Sequence, residues 1–222
     1  MKKDKNIEVE KKYVIDAQNG PLFDKVRTEF SDFMKNYSSS SVKAKDSTDD
    51  YYDTDGGDLY RQNIILRMRS DNKTKRITIK KDIPEETLCG SDGQLTRFEY
   101  EKEIDSEDIE DNWELIKLYC TELTQKFQPK DFHKVIRVEK TREKILCSQD
   151  EFSVEVAFDS VNYVNIKNNT SKKEYQIELE LKSDYSHRDR LKTVTDEMEK
   201  RYEFLKPNYE SKYIRAVNMT CI

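Results

Sequence analysis

Charged residues recur at every second position in several strand-like segments of this chain. In the first, "NIEVEKKYVI", the residues Glu8, Glu10 and Lys12 alternate with others such as Val9. Side chains along a β-strand point alternately to the two faces of the sheet, so these three share one face. A fold built from such strands must place its charged faces either in bulk water or around a common interior. This choice constrains the architecture more than any other feature of the sequence.

Repetition of the pattern distinguishes these two arrangements. Because 38% of the residues are charged, one charged pair at positions i and i+2 arises by chance about one time in seven. A single pair therefore indicates only a solvated face. Several such strands, with apolar residues between the charges, favour a shared charged interior and an apolar outer face packed under helices. The candidate inward bases are Lys12, Arg67, Arg69, Lys80, Arg97, Lys140, Arg142 and Lys212, and the candidate inward acids are Glu8, Glu10, Glu99, Glu101, Glu155, Asp159, Glu178 and Glu180.

The chemistry of these residue types suggests a ligand for such an interior. Arginine and lysine bind phosphate oxygens, and carboxylates bind Mg²⁺ or Mn²⁺. Buried charges are costly unless they are paired, hydrated or bound to a charged ligand. A site for a metal-bound polyphosphate uses both sets of residues. Simple pairing between the acids and the bases is the alternative for the same residues.

Periodicity predicts strands and helices along most of the chain. The stripes of apolar residues at helical spacing predict helices over residues 21–37, 106–127, 186–204 and 211–219. Residues 38–50, "SSSSVKAKDSTDD", are predicted to form a loose loop. The sequence shows no internal repeat and no linker, so residues 1–222 are predicted to form one domain. The predicted strands span residues 6–16, 63–69, 75–81, 95–104, 134–146, 152–163 and 174–181.

Composition excludes several classes of protein. The 40 basic and 45 acidic residues nearly cancel, which argues against a general nucleic-acid binder, and the 13 Tyr and 9 Phe argue against disorder. Four cysteines without a CxxC pair and two histidines make a zinc site improbable, and reduced cysteines are predicted. The start "MKKDKN" lacks the apolar run of a signal peptide, and no apolar stretch is long enough to span a membrane. These features predict a cytoplasmic protein without a membrane partner.

A set of motifs in a fixed order resembles the CYTH domain, or triphosphate tunnel metalloenzyme, superfamily. The first strand contains the pattern E-x-E-x-K, and the resemblance runs from residue 6 to about residue 215. E-x-E-x-K alone is a weak signal, whereas the ordered set is specific. The motifs are "EVEKK", "YYDT", "LRMR", "TIK", "RFEYE", "KTR", "FD" and "IELE".

The resemblance implies an α+β fold, in which helices flank an eight-stranded antiparallel β-barrel that forms a tunnel with a charged lumen. Members of the superfamily cleave inorganic, nucleoside, thiamine or RNA 5′-triphosphates, make cyclic AMP or polymerise phosphate. All use divalent metal ions, so the expected cofactor is Mg²⁺ or Mn²⁺. A homodimer is compatible with the resemblance.

The resemblance also assigns roles to individual residues. Lys12 corresponds to a lysine near the attacking water, and Glu8 and Glu10 are assigned to the catalytic residues together with it. Lys212 lies in "ESKYIR", which resembles the polyphosphate polymerase branch. Tyr51 and Tyr52 fit either a catalytic Lys–Tyr pair or packing at the rim. The expected metal ligands are Glu8, Glu10, Glu178 and Glu180, with Glu99, Glu101 and Asp159 as further candidates, and the expected phosphate ligands are Arg67, Arg69, Lys80, Arg97, Lys140, Arg142 and Lys212.

The leading functional hypothesis is a metal-dependent phosphohydrolase that cleaves the terminal phosphate of an inorganic, nucleoside or organic triphosphate. A polyphosphate polymerase, an adenylate cyclase and a non-catalytic polyphosphate-binding module are the alternatives. The predicted partner is a small molecule that contains a triphosphate, and nucleic acid is expected only as an RNA 5′-triphosphate. Substrate selectivity is expected in loops at the tunnel ends.

Overall fold

Eight antiparallel strands close into a barrel in the computed structural model, which describes residues 6–82 and 94–220. The strands are β1 (Asn6–Asp16), β2 (Ser38–Thr54), β3 (Ile65–Ser70), β4 (Lys75–Asp82), β5 (Leu95–Glu103), β6 (Phe132–Gln149), β7 (Phe152–Asn165) and β8 (Ser171–Leu181). Around the barrel they follow the order β1, β5, β4, β3, β2, β6, β7, β8, and β8 pairs with β1 to close it. The predicted eight-stranded antiparallel barrel is therefore confirmed.

The strand β2 corrects the predicted loop at residues 38–50. It pairs with β6 from Ser38 opposite Ser148 to Thr54 opposite Phe132, with two irregularities in register. The first half of β2 is polar and mostly exposed, so it lacks the apolar alternation by which a strand is recognised. Its extended conformation is stabilised by hydrogen bonds to a distant segment, which local sequence does not reveal.

Helices cover the outside of the barrel and one of its ends. The predicted helix over 106–127 was wrong in extent, because residues 106–108 have no regular structure, residues 109–112 form turns, and the helical part breaks at Cys120 (φ −137°, ψ 54°). Its apolar side was correct, since Ile109, Trp113 and Ile116 are buried. The helices are α1 (Gly20–Phe33), α2 (Asp58–Arg61), α3 (Trp113–Tyr119), α4 (Thr121–Thr124), α5 (Arg188–Arg201) and α6 (Lys212–Thr220).

The outward faces of β1, β7 and β8 carry the largest apolar cluster. Phe30 of α1 packs edge-on against Phe158 of β7, with ring centroids 5.5 Å apart. Leu191 and Met198 of α5 belong to the same cluster and are fully buried. Burying an aliphatic or aromatic side chain contributes about 1.5–3 kcal/mol. The apolar residues between the charges therefore form a core outside the barrel.

A second apolar cluster covers the outward faces of β3 and β4. Met68 and Ile77 pack with Trp113 and Ile116 from the segment that was predicted as a single helix. Tyr52 also faces this cluster, and its hydroxyl donates to the backbone carbonyl of Glu107 at 3.0 Å. Tyr52 is therefore a packing residue on the outside of the barrel.

The helix α6 fills one end of the barrel interior. The ring of Tyr213 stacks on Tyr51 of β2, with centroids 5.4 Å apart and planes at 8°. Its hydroxyl donates to Asp53 Oδ2 at 2.6 Å. Ile136 and Val138 of β6 lie in the same buried cluster. The interior is consequently apolar at the α6 end and charged beyond it.

Two sequence features lie partly or wholly outside the described residues. The stretch "CGSDG" at 89–93, whose composition predicts a turn, is one of them, and two of the four cysteines, Cys89 and Cys221, are the other. The remaining two, Cys120 and Cys147, are buried.

Candidate functional site

A charged cavity of about 260 Å³ occupies the barrel interior next to α6. Ten bases and six acids line it, an excess of four positive charges in a chain whose net charge is −5. The charged rows of the strands therefore share a closed interior, as the alternation predicted. The lining residues are Glu8, Glu10, Lys12, Tyr51, Ile65, Arg67, Arg69, Arg76, Lys80, Arg97, Glu99, Glu101, Arg142, Lys144, Glu178, Glu180, Lys182, Ser211 and Lys212.

The two glutamates of β1 contact bases from β4 and β5. Lys80 Nζ lies 2.6 Å from both carboxylate oxygens of Glu8. Arg97 Nη2 donates to Glu10 Oε1 at 2.8 Å and lies 3.8 Å from Glu8 Oε2. The Nε–H of Arg97 is buried and has no acceptor among the described residues. One donor of this wall is therefore left for a ligand.

Glu178 of β8 is the centre of a second group of charges. Lys212 Nζ and Arg142 Nη2 each lie 2.5 Å from one of its oxygens. Lys12 Nζ lies 3.4 Å away, at the position directly opposite Glu178 in the β1–β8 ladder. Burial alone would raise the pKa of Glu178, but Lys212, Arg142 and Lys12 hold it well below its usual value. Glu178 is therefore ionised and joins three bases from three elements.

Glu180 occupies the next inward position of β8, directly opposite Glu10 in the ladder. Lys182 donates to it at 2.5 Å. Burial and the neighbouring charge of Glu8 raise the pKa of Glu180 to about 7. Two carboxylates thus repel each other on this wall, and a bound cation would relieve that repulsion.

The strand β3 lies across the barrel from β8, and its arginines contact residues of β2, β4 and β5. Arg67 lies 3.5 Å from Glu101 and 3.9 Å from Glu99, and it donates to the Thr78 hydroxyl at 2.8 Å. Arg69 is held by both oxygens of Asp49, at 2.6 and 3.0 Å. These contacts fix the guanidinium groups at the cavity surface.

Thirteen of the fifteen predicted site residues line the cavity, and Lys140 and Asp159 do not. Lys140 Nζ pairs with Asp49 at 2.6 Å and is almost fully buried. Asp159 is fully buried and holds Arg142 through two hydrogen bonds of 2.6 and 2.5 Å, with Lys212 3.0 Å away. Both residues face inward but lie behind the bases that reach the cavity.

The family model of the CYTH domain matches residues 6–216 of the chain. The chain belongs to the CYTH family. This membership agrees with the motif order, the barrel and the charged lumen.

Solved structures of other proteins share this CYTH fold. A candidate adenylate cyclase from Bacillus halodurans is similar with a TM-score of 0.63 at 16% identity, over 95% of this chain and 97% of that one. HpAC1, a candidate adenylyl cyclase from Hippeastrum with a dominant triphosphatase activity, gives a TM-score of 0.61 at 17% identity, with 97% of each chain covered. The protein PH1819 from Pyrococcus horikoshii gives 0.53 at 20% identity, over 96% and 99% of the two chains. A search of curated protein sequences gave no match.

Six residues that line the cavity of this CYTH domain were missed from the sequence or left without a role: Tyr51, Ile65, Arg76, Lys144, Lys182 and Ser211. Arg76, Lys144 and Lys182 lie two positions beyond Thr78, Arg142 and Glu180 on the same strand faces, so a longer alternation would have included them. The sequence allowed either a catalytic or a packing role for Tyr51. In the structure, Tyr51 lines the cavity and stacks on Tyr213.

The carboxylates of the CYTH cavity have the ligand atoms that a divalent metal prefers, but they are not arranged as a preformed metal site. Carboxylate oxygens are the ligands that Mg²⁺ and Mn²⁺ prefer, and Glu8, Glu10 and Glu180 lie on adjacent strands. Within residues 6–82 and 94–220, no three Asp, Glu, His or Cys side chains converge on one metal position. Lys80 and Arg97 hold the oxygens of Glu8 and Glu10 instead. Glu8 and Glu10 therefore suit a metal cation that takes the place of Lys80 and Arg97 as their partner.

None of the helices in the described parts of the chain combines the length and apolar character needed to cross a membrane.

Proposed function

We propose that this protein is a divalent-metal-dependent triphosphatase that hydrolyses the terminal phosphate of an inorganic, nucleoside or organic triphosphate inside the barrel. The excess of four positive charges around a cavity of about 260 Å³ carries this proposal. Confined cations are costly without counter-charges, and a polyphosphate supplies those charges in a linear array. The dominant triphosphatase activity of HpAC1, which shares the fold, is consistent with it.

The bases of the cavity bind the phosphate groups in this proposal. A guanidinium group grips two phosphate oxygens at once, which suits Arg67, Arg69 and Arg97. Lys80, Arg142 and Lys212 add single charges around the same cavity. Lys140 acts from behind the wall, because its pairing with Asp49 helps to hold the carboxylate that orients Arg69.

The carboxylates hold the metal in this proposal. Glu8, Glu10, Glu178 and Glu180 are the principal ligands, and Glu99 and Glu101 suit a second ion. Asp159 orients Arg142 and Lys212, with which it already pairs. Bound Mg²⁺ or Mn²⁺ polarises the phosphoryl group and neutralises charge that develops during transfer.

Lys12 lies among the proposed metal ligands. Its ammonium group donates to Glu10 at 3.5 Å and to the backbone carbonyl of Glu210 at 3.3 Å. In this position it orients the water that attacks the terminal phosphorus. The bond from that phosphorus to the bridging oxygen breaks, and the leaving phosphate chain takes the electron pair. The surrounding arginines and lysines stabilise the negative charge on the leaving group.

Phosphate release from a panel of substrates tests the proposal. The panel contains inorganic triphosphate, ATP, GTP, thiamine triphosphate and RNA with a 5′-triphosphate, each with Mg²⁺, Mn²⁺ or EDTA. We expect metal-dependent release of one phosphate from at least one substrate. A folded, metal-supplied protein that leaves every triphosphate intact overturns the proposal.

Two glutamine variants identify the responsible site. Glu10→Gln keeps the size of the side chain but removes a proposed metal ligand, and we expect kcat to fall by at least about 100-fold. Glu114→Gln on the exposed surface of α3 is the control and is expected to leave the rate unchanged. Equal rates for both variants would place catalysis elsewhere.

A polyphosphate polymerase is the second candidate, favoured by the position of Lys212. This residue of the "SKY" motif lines the cavity and contacts Glu178. Product analysis of reactions with ATP separates the candidates. ADP and phosphate indicate hydrolysis, long phosphate chains indicate polymerisation, and cyclic AMP indicates a cyclase.

A further inference from the structure

Three bases of the cavity are more exposed than the other seven, of which Arg69 has the largest exposed fraction of its side chain, 22%. The side chains of Lys144, Lys182 and Arg76 are 35%, 36% and 40% exposed. Those of Lys12 and Lys80 are only 2% and 10% exposed. We call the three exposed bases the mouth cations, because they line the cavity where it meets solvent.

The strand order places the mouth cations on two sides of the opening. Lys144 of β6 lies two residues beyond Arg142, in the direction away from the apolar cluster at α6. Lys182 directly follows β8. The strands β6 and β8 lie on either side of β7. Arg76 is on β4, which is four strands from β7 in either direction around the barrel. A ligand that leaves the cavity away from α6 therefore passes between cations on opposite walls.

The present partners of the mouth cations are exchangeable carboxylates. Lys144 pairs with Glu155 at 2.7 Å, and Lys182 pairs with Glu180 at 2.5 Å. Arg76 contacts Glu101 at 3.2 Å, and its Nε–H has no acceptor among the described residues. Ion pairs that are open to water contribute little to stability and are screened by salt. A phosphate group can therefore replace these carboxylates at small cost.

The mouth offers charge but no surface for stacking a nucleobase. Among the described residues that line the cavity, Tyr51 is the aromatic one, and it lies at the closed end against Tyr213. The sequence of residues 1–5 and 83–93 contains no aromatic residue. Proteins that hold nucleobases commonly stack them on aromatic side chains. The opening is thus suited to a further phosphate rather than to a nucleoside.

We propose that Arg76, Lys144 and Lys182 form a subsite for a phosphate beyond the triphosphate, so that linear polyphosphates longer than triphosphate are preferred over nucleoside triphosphates. The hydrolytic part of this inference rests on the proposed function. In hydrolysis, water attacks the terminal phosphorus within the barrel, and the subsite binds the leaving chain at the mouth.

Kinetics with inorganic tetraphosphate and ATP test the subsite in the double variant Lys144→Gln/Lys182→Gln. For the wild type we expect kcat/KM to be about tenfold higher for tetraphosphate than for ATP. In the variant, KM for tetraphosphate should rise about tenfold more than KM for ATP, because the two lost charge-assisted contacts reach only the phosphate beyond the triphosphate.

A matched control variant tests whether the change in KM is specific to the mouth cations. Lys192 of α5 has a similar exposure of 39% and a similar carboxylate partner, Asp196, outside the barrel. Lys192→Gln should therefore change neither constant. Equal losses for ATP and tetraphosphate in the double variant, or no loss at all, would overturn the subsite.

Calorimetric binding in EDTA, where metal-dependent turnover stops, separates this inference from the proposed function. Tighter binding of tetraphosphate than of ATP that disappears in the double variant supports the subsite even if no substrate is hydrolysed. Equal affinities in the wild type contradict it, whatever the hydrolysis assay shows.

Discussion

At the scale of single residues, Asp49 supplies the negative charge for three neighbouring bases of the barrel wall. It is fully buried, contacts Arg69 and Lys140 at 2.6 Å each, and lies 3.4 Å from Arg67. Burial alone would raise the pKa of Asp49, but Arg69, Lys140 and Arg67 hold it well below its usual value. This one carboxylate thereby positions two of the proposed phosphate-binding arginines.

Replacing Asp49 by asparagine should destabilise the protein strongly. The substitution leaves the guanidinium group of Arg69 without its counter-charge, and breaking a buried ion pair in this way costs about 3–5 kcal/mol. The free energy of unfolding from urea titrations measures the effect. Asp46→Asn, on the exposed half of the same strand, is the control and should cost less than about 1 kcal/mol. Similar losses for both variants would contradict a central role of Asp49.

The same carboxylate predicts how stability depends on pH. Its pKa in the folded state lies well below the ordinary value of 3.8, so the unfolded state takes up the proton first as the pH falls. The stability that Asp49 contributes is therefore complete above about pH 5 and is lost as the pH falls below 3.8 toward the folded-state pKa.

Urea midpoints of wild type and Asp49→Asn at a series of pH values check this sign. The difference between the two proteins should narrow between about pH 5 and pH 2.5. A difference that stays constant over this range would show that Asp49 keeps an ordinary pKa.

Alternation predicts which face a side chain occupies but neither its depth nor its partner. Glu10, Arg97 and Glu178 were found in this way, because each recurs at every second position with other charged residues and has an apolar neighbour on its strand. Lys140 and Asp159 obey the same alternation and yet lie behind the cavity wall. Depth depends on the register between distant strands, which a single sequence does not give.

At the scale of elements, α6 both closes the barrel and delivers Lys212 to the cavity. Asp53 links this helix to β2 and α2. One oxygen of its carboxylate accepts from the Tyr213 hydroxyl at 2.6 Å and from the Tyr60 backbone at 3.0 Å, and the other accepts from the Leu59 backbone at 2.8 Å. The buried carboxylate of Asp53 is therefore one of the contacts that position α6, beside the ion pairs of Lys212 with Glu178 and of Arg215 with Glu174.

Removing one hydroxyl should loosen this attachment. Tyr213→Phe keeps the ring stacked on Tyr51 but removes a hydrogen bond to a charged acceptor, which contributes about 1.5–3 kcal/mol. We expect a loss of this size in urea unfolding, and a higher KM because Lys212 is less firmly placed. Tyr209→Phe is the control, since Tyr209 is 44% exposed. Unchanged stability and KM in Tyr213→Phe would show that the hydrogen bond to Asp53 does not contribute to the position of α6.

Local signals identified most elements and missed those that depend on distant partners. The stripe of Phe23, Val26 and Phe30 predicted α1 because these residues follow helical spacing. The strand β2 was missed because its exposed half carries no alternation, and its pairing with β6 is long-range. The helix over 106–127 was predicted too long, since its buried side continues through turns around Ile109.

At the scale of the whole molecule, the barrel reverses the usual arrangement of polar and apolar residues. Apolar residues lie under the helices outside the strands, and the residues that line the cavity carry an excess of four positive charges, which the carboxylates of Asp49 and Asp159 behind them offset in part. The bases repel each other in this confined space, and the repulsion lowers the stability of the unliganded protein. An anion that fills the cavity should offset this repulsion and stabilise the folded protein.

Inorganic triphosphate should therefore raise the melting temperature even without a metal. A ligand that binds only the folded state stabilises it by about 2.7 kcal/mol at a concentration 100 times its Kd. Thermal unfolding in EDTA, with potassium chloride added to equal ionic strength in the control, separates specific binding from screening by salt. Arg97→Gln should reduce the shift, because Arg97 offers a buried donor without an acceptor among the described residues. If triphosphate and chloride raise the melting temperature equally, the excess charge of the cavity is balanced by water and small ions, and no polyphosphate is needed to compensate it.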